Sequence, residues 1–540
     1  MESKPAYSGA DIQIIINFNF EVMSLADKVI KNTFYYFISQ VLMILMPLFL
    51  TPFIISKIGD IQFGIYALVL GFIGTFGLLD LSISSSFVKF ISQYYHKNNF
   101  EKLNHTITTG MLFYFVLTLA LTAAGFFLTD FLISLINVPP ELTETAEYVL
   151  RVSLLIFFVT NSFGIFGSVL ISLQKMYISS LINVFFALLN FIAVILLLNS
   201  GFGLYGIVWA QLITITLNVV ITFVYAMKSL PEMKIRFSNF KLNSLKEMGG
   251  FGLQMQVSKL SSFASDKYDE LLLGIFSVLN NVTMFNIGGR IVRFGKFIPI
   301  QIITQIAPVA AELNSKDETG KLKDLFSDAT KYLVAVSSPL FIFIFVFSDL
   351  IISSWMGPGY ETASLIIKVL ITGQLVNIAL SAPGNSITPN IGIPKFQMYE
   401  GLIHLFINVC LTYFLIKLYG VIGAAYGNTL ATIISSSYIF FVSVRYFGKE
   451  YSKLFSVIIF PPLLASAASV CISYLIYYFV ILNIKFIIID NRVKGITALI
   501  ILGLINIFFY SLFILKADYL NDRDKNMLKK LFYKFIPLSK

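Results

Sequence analysis

Residues 203–227 read GLYGIVWAQLITITLNVVITFVYAM, and residues 420–444 read GVIGAAYGNTLATIISSSYIFFVSV. Each is an uncharged run of about 25 residues, long enough to cross a hydrocarbon core as an α-helix. The two runs also match each other. Gly203, Gly206, Trp209 and Gln211 align with Gly420, Gly423, Tyr426 and Asn428 at a spacing near 217. At the same spacing, Ala146-Glu-Tyr-Val-Leu-Arg151-Val aligns with Ala363-Ser-Leu-Ile-Ile-Lys368-Val. The chain is doubled.

The rest of the 540 residues has the same character. Hydrophobic residues make up 57%, charged residues 13%, and the mean hydropathy is +0.82. A soluble surface needs roughly 25% charged residues, so a soluble multidomain enzyme is excluded. A membrane β-barrel would show alternating segments of ~10 residues, which these long apolar runs are not. The expected fold is an all-α polytopic membrane protein with about 14 transmembrane helices. The period maps helices 1–6 onto 7–12. An even number per half keeps both halves in one orientation, so the two six-helix lobes relate by a pseudo-two-fold axis along the membrane normal. Two C-terminal helices lie outside the repeat.

The expected boundaries are a tail at 1–31, a first lobe at 32–227 and a linker at 228–247. A second lobe follows at 248–446, helices 13 and 14 within 455–516, and a basic tail at 517–540. The connecting segments sort by charge. One side collects Lys28 and Lys31, Lys97 and Lys102, Lys234, Arg236 and Lys241, Lys316 to Lys331, and Arg445 to Lys453. The other holds few cations and the acidic loop Asp130, Glu141, Glu144. The positive side faces the cytoplasm, which puts both termini inside. Met1–Asp27 is polar and of mixed charge, unlike a signal peptide. The basic, amphipathic stretch Lys525–Lys540 suits the surface of anionic lipid. The net charge of +10 is accounted for by these loops and calls for no nucleic acid.

Charge inside the spans is costly, roughly 2.5–3.5 kcal/mol each, and marks wet or functional surfaces. Here it clusters. Gln256, Lys259, Asp266 and Glu270 fall on one helical stripe, with Lys267 and Asp269 beside it. Arg290, Arg293 and Lys296 follow at i, i+3 and i+6. Arg151 and Lys368 are the repeat-related pair, and Asp80 stands in the second span. Seven cations against Asp266, Asp269 and Glu270 leave an excess that internal pairing does not cancel. The substrate-binding candidates are Lys259, Lys267, Arg290, Arg293, Lys296, Arg151 and Lys368. Arginine grips phosphate with a planar two-pronged donor set, so the cargo reads as anionic and phosphate-bearing. A structural ion-pair network is the competing reading. Arg151 and Lys368 lie near helix ends, where they could snorkel to the interface.

Asp80, Asp266, Asp269 and Glu270 are the ion-coupling candidates. His404 stands alone in span 11 and is expected to be satisfied by a neighbour. Cys410 and Cys471 sit in apolar spans and read as small core residues. Pro47, Pro52, Pro299 and Pro383 are expected to kink their helices. No nucleotide loop, nucleophile constellation or metal-ligand spacing occurs, so neither enzyme activity, cofactor nor metal is expected.

Two further stretches carry a resemblance. Ile58-Gly59-Asp-Ile-Gln-Phe63-Gly64-Ile-Tyr66 leads to Gly77-Leu-Leu-Asp80-Leu, and Asp269-Glu-Leu-Leu-Leu-Gly274 leads to Val282-Thr-Met-Phe285-Asn286-Ile. Over roughly residues 28–450 the chain resembles polysaccharide (O-antigen-type) flippases of the multidrug/oligosaccharidyl-lipid/polysaccharide exporter superfamily. The resemblance implies a flippase of the bacterial cytoplasmic membrane that moves an undecaprenyl-diphosphate-linked oligosaccharide through a cationic lumen. Its implied partners are that lipid-linked oligosaccharide, membrane lipids, and a polysaccharide polymerase and chain-length regulator, around a monomeric transporter. Lipid II flippases of the superfamily carry arginine in the first helix, whereas Phe34–Phe53 has no charge. Cation-exporting drug antiporters use acidic lumens, against the excess of Lys and Arg here. A non-transporting scaffold of a glycan-assembly complex is the alternative from another class.

Overall fold

The computed structural model describes residues 25–77, 83–247, 268–481, 492–522 and 524–526. The first lobe contains α1 (Leu25–Gly77), α2 (Ile83–His96), α3 (Phe100–Phe127), α4 (Thr129–Ser134), α5 (Thr143–Phe163), α6 (Ile165–Ser172), α7 (Met176–Asn199) and α8 (Gly203–Ser229). The second contains α9 (Tyr268–Phe276), α10 (Leu279–Ser315), α11 (Thr319–Val346), α12 (Ser348–Trp355), α13 (Glu361–Val376), α14 (Ala382–Ile387), α15 (Lys395–Tyr419) and α16 (Val421–Phe447). The last two long helices are α17 (Phe460–Ile476) and α18 (Arg492–Lys516).

Twelve helices among the described residues are long and apolar enough to cross a membrane. The difference from 14 has a local origin. Spans 1 and 2 run together as α1, whose length of about 80 Å at 1.5 Å per residue exceeds one bilayer. Gly59 divides it with φ 79°, a left-handed conformation that glycine adopts without a Cβ clash. Span 7 is described only from Tyr268.

The doubling is visible in the packing. In the first lobe α5 packs on α3 and α8, α7 on α1 and α8, and α2 on α3 and α6. The second lobe repeats this with α13 on α11 and α16, α15 on α9 and α16, and α10 on α11 and α14. Turn geometry repeats too: Asn98 and Asp317, which precede α3 and α11, both have positive φ. A tight α15–α16 turn needs Gly423, because a Cβ there would lie 1.9 Å from the Leu415 carbonyl oxygen. Pro47 and Pro52 lie inside α1 and Pro299 inside α10. A π-turn over Asn377–Ser381 leads into Pro383, which lacks the amide that an α-turn requires.

The α17–α18 pair is fixed to the second lobe by small polar groups. Ser466 donates to Ser338 (2.8 Å), Ser469 to Asn506 (2.7 Å), and Asn506 to the Pro339 carbonyl (3.2 Å). Such groups hold helices together where the solvent is lipid. After α18, Tyr519 donates to the Ile458 carbonyl (2.8 Å), and Asp524 accepts from Lys331 (2.6 Å) and Tyr332 (2.5 Å). The first half of the linker is part of the first lobe rather than a solvated tether. Leu230 and Met233 are buried among Phe87, Ile91 and Leu103. Asn104 on α3 donates to the Glu232 carbonyl (3.0 Å) and accepts from the Lys234 amide (2.7 Å).

The lobes meet at the end that carries Gly59. There Tyr360 donates to Asp60 (2.9 Å), Thr283 to the Asp60 carbonyl (2.7 Å), Trp355 to the Leu48 carbonyl (2.7 Å), and Asn137 to the Ser277 carbonyl (3.0 Å). Burial and the Asp60 carboxylate push the Tyr360 phenol up to about 12.

Candidate functional site: a cationic cavity beside a buried carboxylate

α1 and α10 cross next to this lobe junction and line a half-open cavity of about 460 Å³. One wall is apolar, formed by Met43, Ile44, Pro47 and Leu48 of α1. The other presents Arg290, Arg293 and Lys296 of α10. Spacing of three residues brings all three cations to one face. Arg290 is half-buried and aimed from behind. Its Nε donates to Asn286 Oδ1 (2.8 Å), and Asn286 Nδ2 donates to Glu270 Oε1 (3.0 Å). Glu270 is 0% exposed, and Asn286 links it to the guanidinium across the α9–α10 contact. The Arg290 guanidinium also lies 5.6 Å from the Phe63 ring centre, a cation–π contact. Nearby, Gln211 donates to the Tyr66 hydroxyl (3.1 Å).

A smaller space lined by Arg293, Lys296, Gln374 and Asn428 continues toward α16. Asn428 Nδ2 donates to Asp269 Oδ2 (2.6 Å), and Thr412 lies 3.3 Å from the other carboxylate oxygen. Asp269 is 2% exposed and is surrounded by neutral oxygen-bearing side chains, with Asn408 the third. Asn428 therefore touches both this smaller space and the buried carboxylate.

The structure brings Arg290, Arg293 and Lys296 together, with Glu270 and Asp269 behind them. It keeps Arg151 and Lys368 apart from this group. Arg151 pairs with Asp130 (3.0 Å) and Glu147 (3.3 Å), and Lys368 with Asp349 (2.7 Å). Both sets of contacts tie a short helix, α4 or α12, to the helix that follows it. Burial raises the Asp349 carboxyl, but hydrogen bonds from Lys368 and Ser364 outweigh it and hold the group below its usual range. Asp80, Lys259, Asp266 and Lys267 lie outside the described residues, as does most of the Lys525–Lys540 stretch. His404 Nε2 lies 3.3 Å from the Thr432 hydroxyl, the kind of neighbour its sequence setting calls for. Sequence reasoning missed Asn286, Asn408 and Thr412. The repeat did carry a signal for two others, since Gln211 and Asn428 occupy matching positions and both face the polar centre. Among the described residues no cluster of three or more His, Cys, Asp or Glu side chains is arranged to hold a metal.

The MatE family model matches residues 36–196. A solved structure described as the inward-facing conformation of a multidrug resistance MATE family transporter of the MOP superfamily has a TM-score of 0.62 at 16% identity, covering 75% of this chain and 94% of its own. Another, lipid II flippase MurJ in an inward closed conformation, has a TM-score of 0.70 at 16% identity, covering 90% of this chain and 99% of its own. The chain has the MOP-superfamily fold. A Shigella flexneri protein named as an O-antigen transporter is 21% identical over 423 residues, 76% of this chain and 96% of that protein. The MOP fold fits the two lobes, and the chain is a multi-pass membrane protein.

Proposed function

We propose that this MOP-fold protein is a flippase for an undecaprenyl-diphosphate-linked oligosaccharide in the bacterial cytoplasmic membrane. The observation that carries the reading is the two-sided cavity. Arg290, Arg293 and Lys296 offer an anionic headgroup charge and hydrogen bonds, while Met43, Ile44, Pro47 and Leu48 offer an isoprenoid chain an apolar wall. A diphosphate lipid needs both surfaces at once. The likeness to the Shigella flexneri O-antigen transporter and to lipid II flippase MurJ supports a lipid-linked cargo.

With the positive loops inside, the Gly59 end faces outward and both termini face the cytoplasm. The lobe contacts at Asp60, Asn137, Trp355 and Tyr360 then close the outer side. Cargo would enter from the inner leaflet, and rocking of the lobes would break those contacts to release it outward. Asp269 is the coupling site in this scheme. One carboxylate among Asn408, Thr412 and Asn428 suits a single monovalent cation, because it supplies one negative charge and several neutral oxygens. Asn428 links that site to the smaller space lined by Arg293 and Lys296, which also line the cargo cavity. Glu270 serves to position Arg290.

The test is leaflet accessibility of a fluorescent undecaprenyl-diphosphate oligosaccharide in liposomes. The wild type should translocate it and Arg290→Ala/Arg293→Ala should not. Translocation that survives the double substitution would overturn the role of α10. No translocation by folded wild-type protein under any ion gradient would favour a drug exporter or a scaffold.

A further inference from the structure

One polar feature of the second lobe is not used by the cavity. α15 carries Glu400, His404, Asn408 and Thr412, a polar side chain at every fourth residue. That spacing keeps them on one slowly turning stripe, about one 5.4 Å turn apart. The stripe begins near the Lys395 end of the helix and finishes at Asp269. Thr412 lies 3.3 Å from Asp269 and donates to Asn408 (2.5 Å). His404 lies 3.3 Å from Thr432 on α16. Glu400 is half-buried, with Asn385 and Ser435 as its polar neighbours. His404 is 5% exposed, and Asn408 and Thr412 are 0% exposed.

A seam that merely joined α15 to α16 would need only small neutral groups, as the Ser338–Ser466 contact does for α11 and α17. Here two members are ionisable, which hydrocarbon penalises. Both stand on the cytoplasmic half, between the carboxylate and the Lys395 end. A gap of one turn is within reach of a rotating side chain or a single bridging water.

We infer that the Glu400–His404–Asn408–Thr412 file is the passage by which a monovalent cation, Na⁺ or a proton, exchanges between Asp269 and the cytoplasmic face. Glu400 forms its mouth and His404 its mid-point. The inference rests on Asp269 being the coupling site. The cation enters along α15, behind the cargo cavity, so loading the carboxylate does not require the cavity to be empty.

The experiment uses the purified full chain and two probes: ²²Na⁺ in rapid filtration, and a pH-sensitive dye that reports proton uptake after a pH jump. Whichever probe the wild type binds identifies the cation. Asp269→Asn should abolish binding. Glu400→Gln and His404→Phe should slow both uptake and release at least tenfold, with equilibrium affinity within twofold of wild type. Glu400→Asp should restore most of the rate. Glu400→Gln is nearly isosteric and carries the test alone if His404→Phe does not fold. Wild-type exchange rates in folded Glu400→Gln protein would overturn the passage and leave Asp269 standing. Binding that survives Asp269→Asn, or no binding of either cation by wild type, would overturn the coupling site and the passage together.

Discussion

Replacing Asn286 by alanine should cost the protein about 2 kcal/mol of stability. Asn286 bridges buried Glu270 on α9 and Arg290 on α10, with bonds of 3.0 and 2.8 Å. Polar contacts between membrane helices average about 0.6 kcal/mol and reach about 1.7. The Glu270 bond crosses between helices to a charged group and belongs near the top of that range, ~1.5 kcal/mol, whereas the Arg290 bond is an i, i+4 pair within α10 and adds about 0.5 kcal/mol. Alanine removes both and leaves a carboxylate at 0% exposure without this donor. Equilibrium unfolding of the purified protein in mixed micelles measures the loss. A double-mutant cycle with Glu270→Ala isolates the Asn286–Glu270 bond, for which the coupling should be about 1.5 kcal/mol. A loss under about 0.5 kcal/mol, with no coupling in the cycle, would refute the relay and leave Arg290 held by other means.

Breaking the lobe contacts should open the Gly59 end: Tyr360→Phe with Trp355→Phe should raise labelling of a cysteine placed at Val138, measured with a membrane-impermeant thiol reagent. Gly64→Ala should act likewise, because its Cβ would lie 2.6 Å from the Leu279 carbonyl oxygen and must push α1 from α10; overpacking of this kind costs about 1–3 kcal/mol. Arg151→Gln with Lys368→Gln should change stability by less than about 1 kcal/mol and leave cargo translocation unchanged, because both pairs are partly exposed and sit at helix ends. The Asp524 carboxyl is pushed up by burial but held below its usual range overall by Lys331 and Tyr332. Its contribution is therefore present above the ordinary carboxylate pKa and is lost as pH falls through the lowered value. Asp524→Asn should remove that acid dependence from proteolysis of the segment after α18.

The fold was legible because its main cause, uninterrupted apolar length, is written directly into the chain. The repeat pointed to the topology, and the same helix pairs recur in both lobes. What sequence patterning could not show was that spans 1 and 2 form one helix broken at Gly59, since a kink and a loop leave similar apolar traces. In the site, Arg290, Arg293 and Lys296 were legible because a charge inside an apolar run stands out. Asn286, Asn408 and Thr412 were not, because amides and hydroxyls are ordinary in helices and gain meaning only from what they face. Arg151 and Lys368 show the converse. Their charge was visible, but the partners lay elsewhere, Asp130 in a segment read as loop and Asp349 at the end of the preceding span, and three-dimensional placement was needed to pair them.

The central claim is that α10 turns the cavity into a site for an anionic lipid headgroup. Its most direct measurement compares the affinity of the purified protein for an undecaprenyl-diphosphate oligosaccharide with that for the same molecule carrying a neutral linkage. The diphosphate form should bind at least about tenfold tighter, or ~1.4 kcal/mol. That preference should vanish in Arg290→Ala/Arg293→Ala/Lys296→Ala. Equal affinity for the two ligands in the wild type, or a preference unchanged in the triple variant, would contradict the account.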